Sequence, residues 1–407
     1  MSAVSDQPTE IASDPEVLRD ERHAVVVAGG AHALHDGYTD LIYVLLPLWQ
    51  AEFGLGFAEL GVLRGVFVGT MACLQIPCSL LAKRFGTPIV LAAGTALAGL
   101  GYCIAGVSTG FVLLLVALFI GGLGSSTQHP LGSTLVARAF AGARSMKALG
   151  LYNFSGDIGK MTVPAAAALL LTVMPWRPAL ALLGAVGLMA AVAIYQLTPH
   201  YDKDAAPHSS SDDGGIDTAR GASNRSGFPV LLSIGVIDSA ARMAFLTFLP
   251  FVLAEKGANL PTIGFALTLV FAGGAGGKLV CTFIGARIGA IATVWLTEGL
   301  TAVVIVALLP LRLEVAMFLL PLIGAALNGT SSVLYGSVPE LVAPERRAWS
   351  FGLFYTGTIG SGAIAPALFG LIGDAYGVPN ALMCVAAIVL VALPLSLVLR
   401  PALSGLR

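Results

Sequence analysis

The chain has 407 residues, of which 56% are hydrophobic and 11% are charged, and its mean hydropathy is +0.86. Soluble domains carry about 25% charged residues, so this composition indicates a protein whose solvent is largely lipid. The formal net charge is -1, from 22 Lys+Arg and 23 Asp+Glu, which excludes the basic excess typical of nucleic-acid-binding proteins. The five cysteines stand singly in apolar segments, without the paired spacing of zinc sites or redox motifs.

The polar N-terminal segment, residues 1–23, lacks the apolar core of a secretory signal, so we expect a short cytoplasmic tail. A membrane-spanning helix needs about 20 apolar residues, and the chain offers six such segments in each of two halves, residues 24–198 and 228–400. They begin near Ala24, Glu59, Pro88, Phe111, Ala148, Arg177, Phe228, Thr262, Ala290, Glu314, Trp349 and Val378. Residues 199–227, rich in Ser, Asp and Gly, are predicted to be a cytoplasmic linker, and residues 401–407 a cytoplasmic tail.

Basic residues are unevenly distributed between the two sides of the predicted membrane. With the N-terminus placed in the cytoplasm, most of the 22 Lys and Arg fall in cytoplasmic loops and tails, and the external loops hold only Arg177, Lys256 and Arg312. Short loops rich in Lys and Arg tend to stay in the cytoplasm. The sequence therefore predicts a multi-pass protein of the cell inner membrane with both termini cytoplasmic.

The two halves carry an internal repeat with an offset of about 203 residues. Corresponding residues include Asp36 and Asp238, Gly54 and Gly257, Gly61 and Gly264, Gly132 and Gly336, and Pro164 and Pro366. Because each half has six spans, equivalent helices cross the membrane in the same direction. The repeat is therefore parallel, with the halves related by an axis along the membrane normal.

Three segments of the first half carry more specific motifs: AHALHDGYTDLIYVLLP at 31–47, GLGSSTQHPLGS at 122–133 and FSGDIGKMTVP at 154–164. They resemble the first, fourth and fifth helices of the major facilitator superfamily, and within it of the fosmidomycin-resistance branch. The chain departs from the branch at Leu131, where an acid is usual, and at Asp157, where Asn is usual. In the loop SLLAKRFG, Ser79 and Lys83 replace the superfamily's usual Gly and Asp. The resemblance implies an all-α membrane protein with the major facilitator fold, twelve transmembrane helices in two pseudo-symmetric six-helix halves.

Acids at membrane depth are the candidates for proton coupling, because charges there are costly and usually functional. Five acids lie at this depth, Asp36, Asp40, Asp157, Asp238 and Glu298, and the first four are the candidates. A carboxylate desolvated by apolar neighbours can bind and release a proton, and Asp36 is the first choice. Its structural alternative is a backbone contact at a kink, and that of Asp40 is a salt-bridged gate. His32, Asp36 and Asp40 share one helix face, whereas His35 is turned about 100° away.

Cationic, aromatic and amide side chains are the candidates for substrate binding: His32, Tyr38, Arg64, Gln128, His129, Asn153, Lys160, Arg242 and Tyr355. Arg64, Lys160 and Arg242 would suit a carboxylate, phosphate or phosphonate. Each has a structural alternative. Arg64 can snorkel to the outer surface, Arg242 can pair with Asp238 one turn away, and Lys160 can pair with Asp157 on its own helix. His129 can be a hydrogen-bonded packing element.

These features predict a secondary active transporter that works by alternating access. The first hypothesis is a proton-coupled antiporter that exports a small anionic or zwitterionic drug or metabolite. The second is a proton-coupled symporter that imports an organic acid. The expected partners are the substrate, protons and the lipid bilayer, without nucleic acid, and we expect a monomer.

A third hypothesis, of another class, is a transporter-derived sensor or metal-binding membrane protein. His32, His35, Asp36 and His129 have the chemistry of divalent-metal ligands, although the expected divergence of the first two histidines weighs against a shared ion. The sequence has no Walker-type phosphate loop and no nucleophile, base and orienting group at interpretable spacing. We therefore expect neither a cofactor nor an enzymatic activity.

Overall fold

The computed structural model describes residues 15–140, 143–199, 227–343 and 346–400. The first half contains α1 (Pro15–Phe53), α2 (Phe57–Phe85), α3 (Thr87–Gly106), α4 (Phe111–Ser125), α5 (Gln128–Ala139), α6 (Ala143–Leu170) and α7 (Trp176–Leu197). The second half contains α8 (Gly227–Glu255), α9 (Leu260–Ile288), α10 (Ala290–Leu308), α11 (Leu313–Leu341), α12 (Arg347–Tyr376) and α13 (Val378–Val398). Since α4 and α5 together make one span, each half has six spans, and the predicted all-α fold is confirmed.

Ten of these spans, with α4 and α5 counted as one, are long and apolar enough to cross a membrane by length and composition alone. The other two, α1 and α6, have 39 and 28 residues and carry much of the polar lining of the cavity described below. Large apolar side chains such as Val112, Val173 and Phe318 are exposed on the outer surface, where lipid would cover them. The chain is thus a membrane protein with many transmembrane helices.

The described helix ends differ from the predicted boundaries mainly at the N-terminus. α1 begins at Pro15 and not near Ala24. Proline suits the first turn of a helix, and the added charged turns are anchored because Glu21 accepts a hydrogen bond from Arg144 of α6. Of the predicted linker only residues 199 and 227 are described, the second as the first residue of α8, and the predicted tail 401–407 lies outside the described residues.

The repeat is visible in matched turns. Gly54 and Gly257 have φ values of 63° and 92° in the turns after α1 and α8, and Gly86 and Gly289 have φ values of 93° and 84° after α2 and α9. A residue with a Cβ atom is strained at these angles. Glycine therefore stands at both positions of each pair because the two halves make the same turns.

Two ends of the bundle must be distinguished: the near end, where α1 begins, and the far end, where α1 finishes at Phe53. At the far end the halves pack closely, α2 on α12 and α9 on α6. A Cβ atom on Gly61 would lie 2.4 Å from Pro366, and one on Gly264 would lie 3.3 Å from the carbonyl oxygen of Pro164. These glycines correspond in the repeat, and so do these prolines. The repeated residues thus make the contact between the halves.

A hydrogen-bonded cap also joins the halves at the far end. Asp374, near the end of α12, accepts the backbone N–H groups of Phe57 at 2.6 Å and Ala58 at 3.0 Å. These N–H groups lie in the first turn of α2, where they have no partner within the helix and where the helix dipole favours an anion. A carboxylate of the second half therefore caps a helix of the first.

At the near end the same four helices carry exposed apolar side chains. Ile76 of α2 is 76% exposed, Met146 of α6 77%, Phe283 of α9 72% and Trp349 of α12 65%. The close contacts between the halves lie toward the other end. The space between the halves is therefore closed at the far end and opens toward the near end.

Candidate functional site

A cavity of about 630 Å³ lies between the two halves. Its polar lining consists of His35, Asp36, Thr39, Asp40, Arg64, His129, Asp157 and Lys160 from the first half, and of Asp238, Ser239, Arg242, Lys278, Asn328, Ser331, Ser332, Tyr335, Tyr355 and Thr358 from the second. Apolar residues such as Met71, Met243 and Phe271 complete the wall. A concave site of this size, with converging charges on an apolar wall, suits a small molecule.

Close approach of α1 and α6 places the acid Asp36 in this cavity. A Cβ atom on Gly156 would lie 2.6 Å from Asp36 Oδ2, and one on Gly159 would lie 1.9 Å from the carbonyl oxygen of Ala33. Neither position has room for a larger side chain. Glycine at both positions allows the two helices to approach this closely.

Four basic or imidazole groups surround the Asp36 carboxylate. Lys160 Nζ lies 3.2 Å from Oδ2, and His32 Nε2 lies 3.5 Å from the same oxygen. His35 Nε2 and His129 Nε2 lie 3.6 Å and 3.9 Å from Oδ1. The side chain of Asp36 is 8% exposed. A buried carboxylate thus has one permanent counter-ion and three groups that can carry a proton.

The predicted pair between Lys160 and Asp157 on one helix does not form. Lys160 turns to Asp36 of α1, while Asp157 Oδ1 accepts a hydrogen bond from Lys278 of α9 at 2.6 Å. Spacing along a helix makes such pairs possible, but here partners on neighbouring helices lie closer. The contact between Asp157 and Lys278 links the two halves at the cavity wall.

The predicted divergence of His35 from Asp36 is wrong, because the imidazoles of His32 and His35 both reach this carboxylate. His32 Nδ1 lies 2.8 Å from the carbonyl oxygen of Tyr152. A carbonyl can only accept, so Nδ1 carries the hydrogen, and in the neutral imidazole the lone pair is then on Nε2. The buried Nε2 atoms of both histidines have no hydrogen-bond partner.

A metal ion is one group that this arrangement can hold. His32, Asp36 and His129 offer ligand atoms within 4.8 Å of one another, and two imidazoles with one carboxylate are a common zinc ligand set. The ammonium of Lys160 stands against it, since it neutralises Asp36 from 3.2 Å and would repel a second cation. The geometry therefore fits a substrate or proton site better than a resident metal site.

A break in the fourth span brings His129 to this cluster. α4 ends at Ser125 and α5 begins at Gln128, because Pro130 lacks the N–H group that a continuous helix would use. The hydroxyl of Thr127 donates to the carbonyl of Gly124 at 3.0 Å, which satisfies one freed acceptor. The break between α4 and α5 thereby directs the imidazole of His129 toward Asp36.

Arg64 is deeply buried and lines the cavity, so its structural alternative, snorkelling to the outer surface, does not apply. Its NH2 atom lies 3.4 Å from Asp40 Oδ1 and 3.1 Å from the hydroxyl of Tyr43. Its guanidinium also lies over the Tyr43 ring, 4.7 Å from the centroid. α12 covers this part of α2, leaving a Cβ on Gly65 only 2.2 Å from the carbonyl oxygen of Ala363, and so closes the path to the surface. Asp40 is salt-bridged, as one of its two alternatives predicted.

In the second half a hydroxyl bridges the corresponding acid and its base. Arg242 NH1 donates to Ser331 Oγ at 3.0 Å, and Ser331 Oγ donates to Asp238 Oδ2 at 3.0 Å. The predicted pair across one helical turn is thus replaced by a bridge through α11. Arg242 keeps part of its guanidinium free of hydrogen bonds, since its Nε atom has no partner.

Glu298 of α10 is a residue that the predicted site omits. It is 2% exposed and does not line the cavity. Its carboxyl group lies within hydrogen-bonding distance of Asp238 and of the Thr330 hydroxyl. The signal was present in the sequence, as a single acid in the otherwise apolar segment AIATVWLTEGLTAVVIVAL, but its partner lies on another helix.

The predicted site residues divide into two groups. Those that line the cavity are Asp36, Asp40, Arg64, His129, Asp157, Lys160, Asp238, Arg242 and Tyr355. Four predicted substrate contacts lie elsewhere. His32 is buried behind Asp36, Tyr38 donates to the carbonyl of Leu183 on α7, Gln128 is buried between α1, α3 and α4, and Asn153 is exposed on α6. They point away because successive helical residues turn by about 100°.

Comparison with known proteins agrees with this architecture. The family model described as Major Facilitator Superfamily matches residues 29–230 and 231–405. The chain is 25% identical over 381 residues to the Fosmidomycin resistance protein of Escherichia coli (strain K12), covering 91% of this chain and 92% of that protein. It is 24% identical over 264 residues to the Probable L-galactonate transporter of the same organism, covering 61% of this chain and 56% of that one.

Among solved structures, the fold is similar to that of a bacterial homolog to the human lysosomal transporter Spinster, in an inward-facing and occupied conformation. The TM-score is 0.79 and the sequences are 14% identical, over 95% of this chain and 98% of that chain. Similarity at this identity concerns the fold alone.

Proposed function

This chain belongs to the major facilitator superfamily and is a transporter, not an enzyme, and from that premise we propose that it carries a small anionic or zwitterionic compound, coupled to protons. The observation that carries the proposal is the contact between Lys160 and Asp36, 3.2 Å long, in the cavity between the halves. Substrate and proton would bind there while the halves rock around the site.

An anionic substrate would compete with Asp36 for Lys160. A carboxylate, sulfonate or phosphonate that pairs with the ammonium leaves Asp36 buried without its counter-ion. A buried carboxylate without a partner is costly and binds a proton instead. The anion and the proton would then cross the membrane together.

A zwitterionic substrate would act differently, because its own ammonium can pair with Asp36 and displace a proton. The coupling thus depends on the substrate. A plain anion favours cotransport, as in the predicted symporter, and a zwitterion favours exchange, as in the predicted antiporter. Similarity to a protein named for fosmidomycin resistance supports export, and similarity to a probable L-galactonate transporter supports an organic anion as substrate.

We also propose that the protein is a monomer in the cell inner membrane with both termini in the cytoplasm. The scarcity of basic residues in the loops of the far end, which hold Arg177, Lys256 and Arg312, supports this orientation. In that orientation the near end faces the cytoplasm, and the cavity is open inward.

Proton movement in inverted vesicles tests the proposal. Substrates would first be sought by a growth and resistance screen across antibiotics and organic acids, with and without the gene. Vesicles loaded with a pH-sensitive dye should then show proton movement on addition of the substrate, abolished in Asp36→Asn. The matched control is Glu314→Gln, an exposed acid in the first turn of α11. Absence of substrate-dependent proton movement, or movement unchanged in Asp36→Asn, contradicts the proposal.

Metal binding is the alternative of another class, supported by the spacing of His32, Asp36 and His129. A thermal-shift assay of the purified protein with Zn²⁺, beside a panel of carboxylates and phosphonates, separates the two. Stabilisation by Zn²⁺ that disappears in His129→Ala favours the metal. Stabilisation by anions that disappears in Lys160→Gln favours transport.

A further inference from the structure

Behind the cavity wall of the second half, two carboxyl groups share one cationic neighbour. Asp238 of α8 and Glu298 of α10 are 4% and 2% exposed, and their carboxyl groups lie within hydrogen-bonding distance of each other. Arg242 reaches Asp238 through the hydroxyl of Ser331. Asp238 lines the cavity and Glu298 does not, so the pair connects the cavity to the protein interior.

Contact between two carboxyl groups requires a proton. Ionised carboxylates have acceptor atoms only, so they cannot bond to each other, and two like charges at this distance repel. If one group is protonated, its O–H donates to the other. The contact between Asp238 and Glu298 is stabilising only in that form.

The charges around the cavity lead to the same assignment. Three acids each contact a cation of their own: Asp36 contacts Lys160, Asp40 contacts Arg64, and Asp157 contacts Lys278. In the second half Arg242 faces two acids, Asp238 and Glu298. One of the two acids therefore has no counter-ion.

The unpartnered oxygen of Glu298 indicates which acid this is. Oε1 is buried and has no hydrogen-bond partner among the described residues. A buried ionised oxygen without a donor carries a large desolvation cost, whereas a neutral carboxylic acid carries much less. Asp238, by contrast, receives the hydroxyl of Ser331. The proton therefore resides mainly on Glu298.

The other helices packed against this pair do not supply a second counter-ion. From α9, Lys278 is held by Asp157, and from α1, Asp40 is held by Arg64. α12 presents the phenol of Tyr355 to the cavity, and residues 378–398 of α13 contain no Asp, Glu, His, Lys or Arg.

We propose that Asp238 and Glu298 form a proton-binding pair that holds one proton while the cavity is open at the near end and exchanges it through Asp238 during transport. The role of the pair in transport rests on the proposed proton coupling, whereas the binding of one proton by the pair does not depend on that coupling. An anion that engages Arg242 from the cavity would withdraw from the pair the one positive charge that the described part of the chain supplies to it. The pair would then favour a second proton, which links substrate and proton binding in the second half.

Infrared spectroscopy of the purified full-length protein at neutral pH tests for the bound proton. The wild type should show the C=O band of a protonated carboxyl group, and Glu298→Gln should show one such group fewer per molecule. Asp36→Asn and the exposed control Glu314→Gln should keep the band. In Glu298→Asp, which retains a carboxyl group, the band should shift in frequency. A band unaltered by both Glu298 substitutions would overturn the proposal.

A transport measurement tests the coupling separately. In proteoliposomes, Glu298→Gln should still exchange labelled substrate across the membrane, but the number of protons moved per substrate should fall by at least half. An unchanged ratio would overturn the role of the pair in transport. If the wild type moves no protons, the proposed coupling fails, and the infrared result still decides whether the pair holds a proton.

Discussion

The two halves share a fold but neutralise their buried acids differently. In the first half Asp36 has a counter-ion of its own, the ammonium of Lys160. In the second half Asp238 and Glu298 share Arg242, which acts through a hydroxyl bridge. A separate ion pair is suited to exchange its counter-ion for a charged substrate, whereas two acids with one cation are suited to hold a proton.

This difference arises around two residues that correspond in the repeat. Asp36 and Asp238 stand at equivalent positions of α1 and α8, yet three imidazoles and an ammonium surround the first, and a serine and a glutamate surround the second. The duplicated backbone thus provides two equivalent places for an acid, and the neighbouring helices determine what each acid does.

Removing the ammonium of Lys160 should abolish this difference between the halves in how their buried acids are neutralised. We expect it to have the largest effect, which is on substrate binding. In Lys160→Gln, Asp36 loses its counter-ion, as one acid of the second half lacks one already. Truncating one partner of a buried charge pair between a protein and its ligand costs about 2–5 kcal/mol of binding free energy, so we expect substrate binding to fall by about 30-fold or more. Asp36 should then take up a proton, seen as one additional protonated carboxyl group in the infrared spectrum.

Titration calorimetry with the substrate, or uptake into proteoliposomes, measures the loss in Lys160→Gln. Lys147→Gln is the matched control, an exposed lysine on the same helix, and should bind as the wild type does. Equal binding by the two variants would show that Lys160 does not contact the substrate.

The hydroxyl bridge of the second half can be removed without changing any charge. Ser331→Ala takes away a donor to Asp238 and an acceptor for Arg242. Leaving such buried groups unsatisfied costs about 1–3 kcal/mol. We expect transport to fall by about tenfold and the pH at half-maximal transport to change.

Ser337→Ala makes the same change on the same helix, where the hydroxyl donates to the backbone carbonyl of Val333, and serves as the control for Ser331→Ala. Initial rates of uptake measured across a pH series give both quantities. A profile for Ser331→Ala that overlays that of the wild type would remove the bridge from the coupling mechanism.

The spans and the repeat could be predicted from sequence because hydropathy and helical periodicity are local properties. The partners of the charged side chains could not be predicted, because these partners lie on other helices. Lys160 can reach Asp157 by its spacing, but it contacts Asp36 because α1 and α6 approach at small residues. Arg64 lies near a helix end and is nonetheless buried, because α12 covers it. Glu298 could not be linked to Asp238 from the sequence, because the two acids lie on different helices.

The ion pair between Asp157 and Lys278 tests whether the two halves communicate at the cavity wall. It joins α6 to α9 at 2.6 Å, and contacts of this kind couple by about 0.5–3 kcal/mol in double-mutant cycles. We expect Asp157→Asn and Lys278→Gln each to lower the melting temperature and the double variant to lower it by less than the sum. Strictly additive shifts would mean that the pair is not formed in the membrane.

The smallest effect is expected at the far end, where Asp374 caps α2 across the halves. Asp374→Asn removes the charge and leaves one acceptor oxygen, and an anion at a helix N-terminus contributes about 0.3–1 kcal/mol. The far-end-open population should therefore rise by about twofold to fivefold. Spin labels on Ala51→Cys and Tyr376→Cys, in a variant without the native cysteines, report this as a larger long-distance fraction. Glu59→Gln is the control, since Glu59 bonds only the backbone of Gly56 in its own half. Unchanged distances in Asp374→Asn would show that the glycine and proline contacts alone close the far end, and that the two halves separate there without breaking a charged contact.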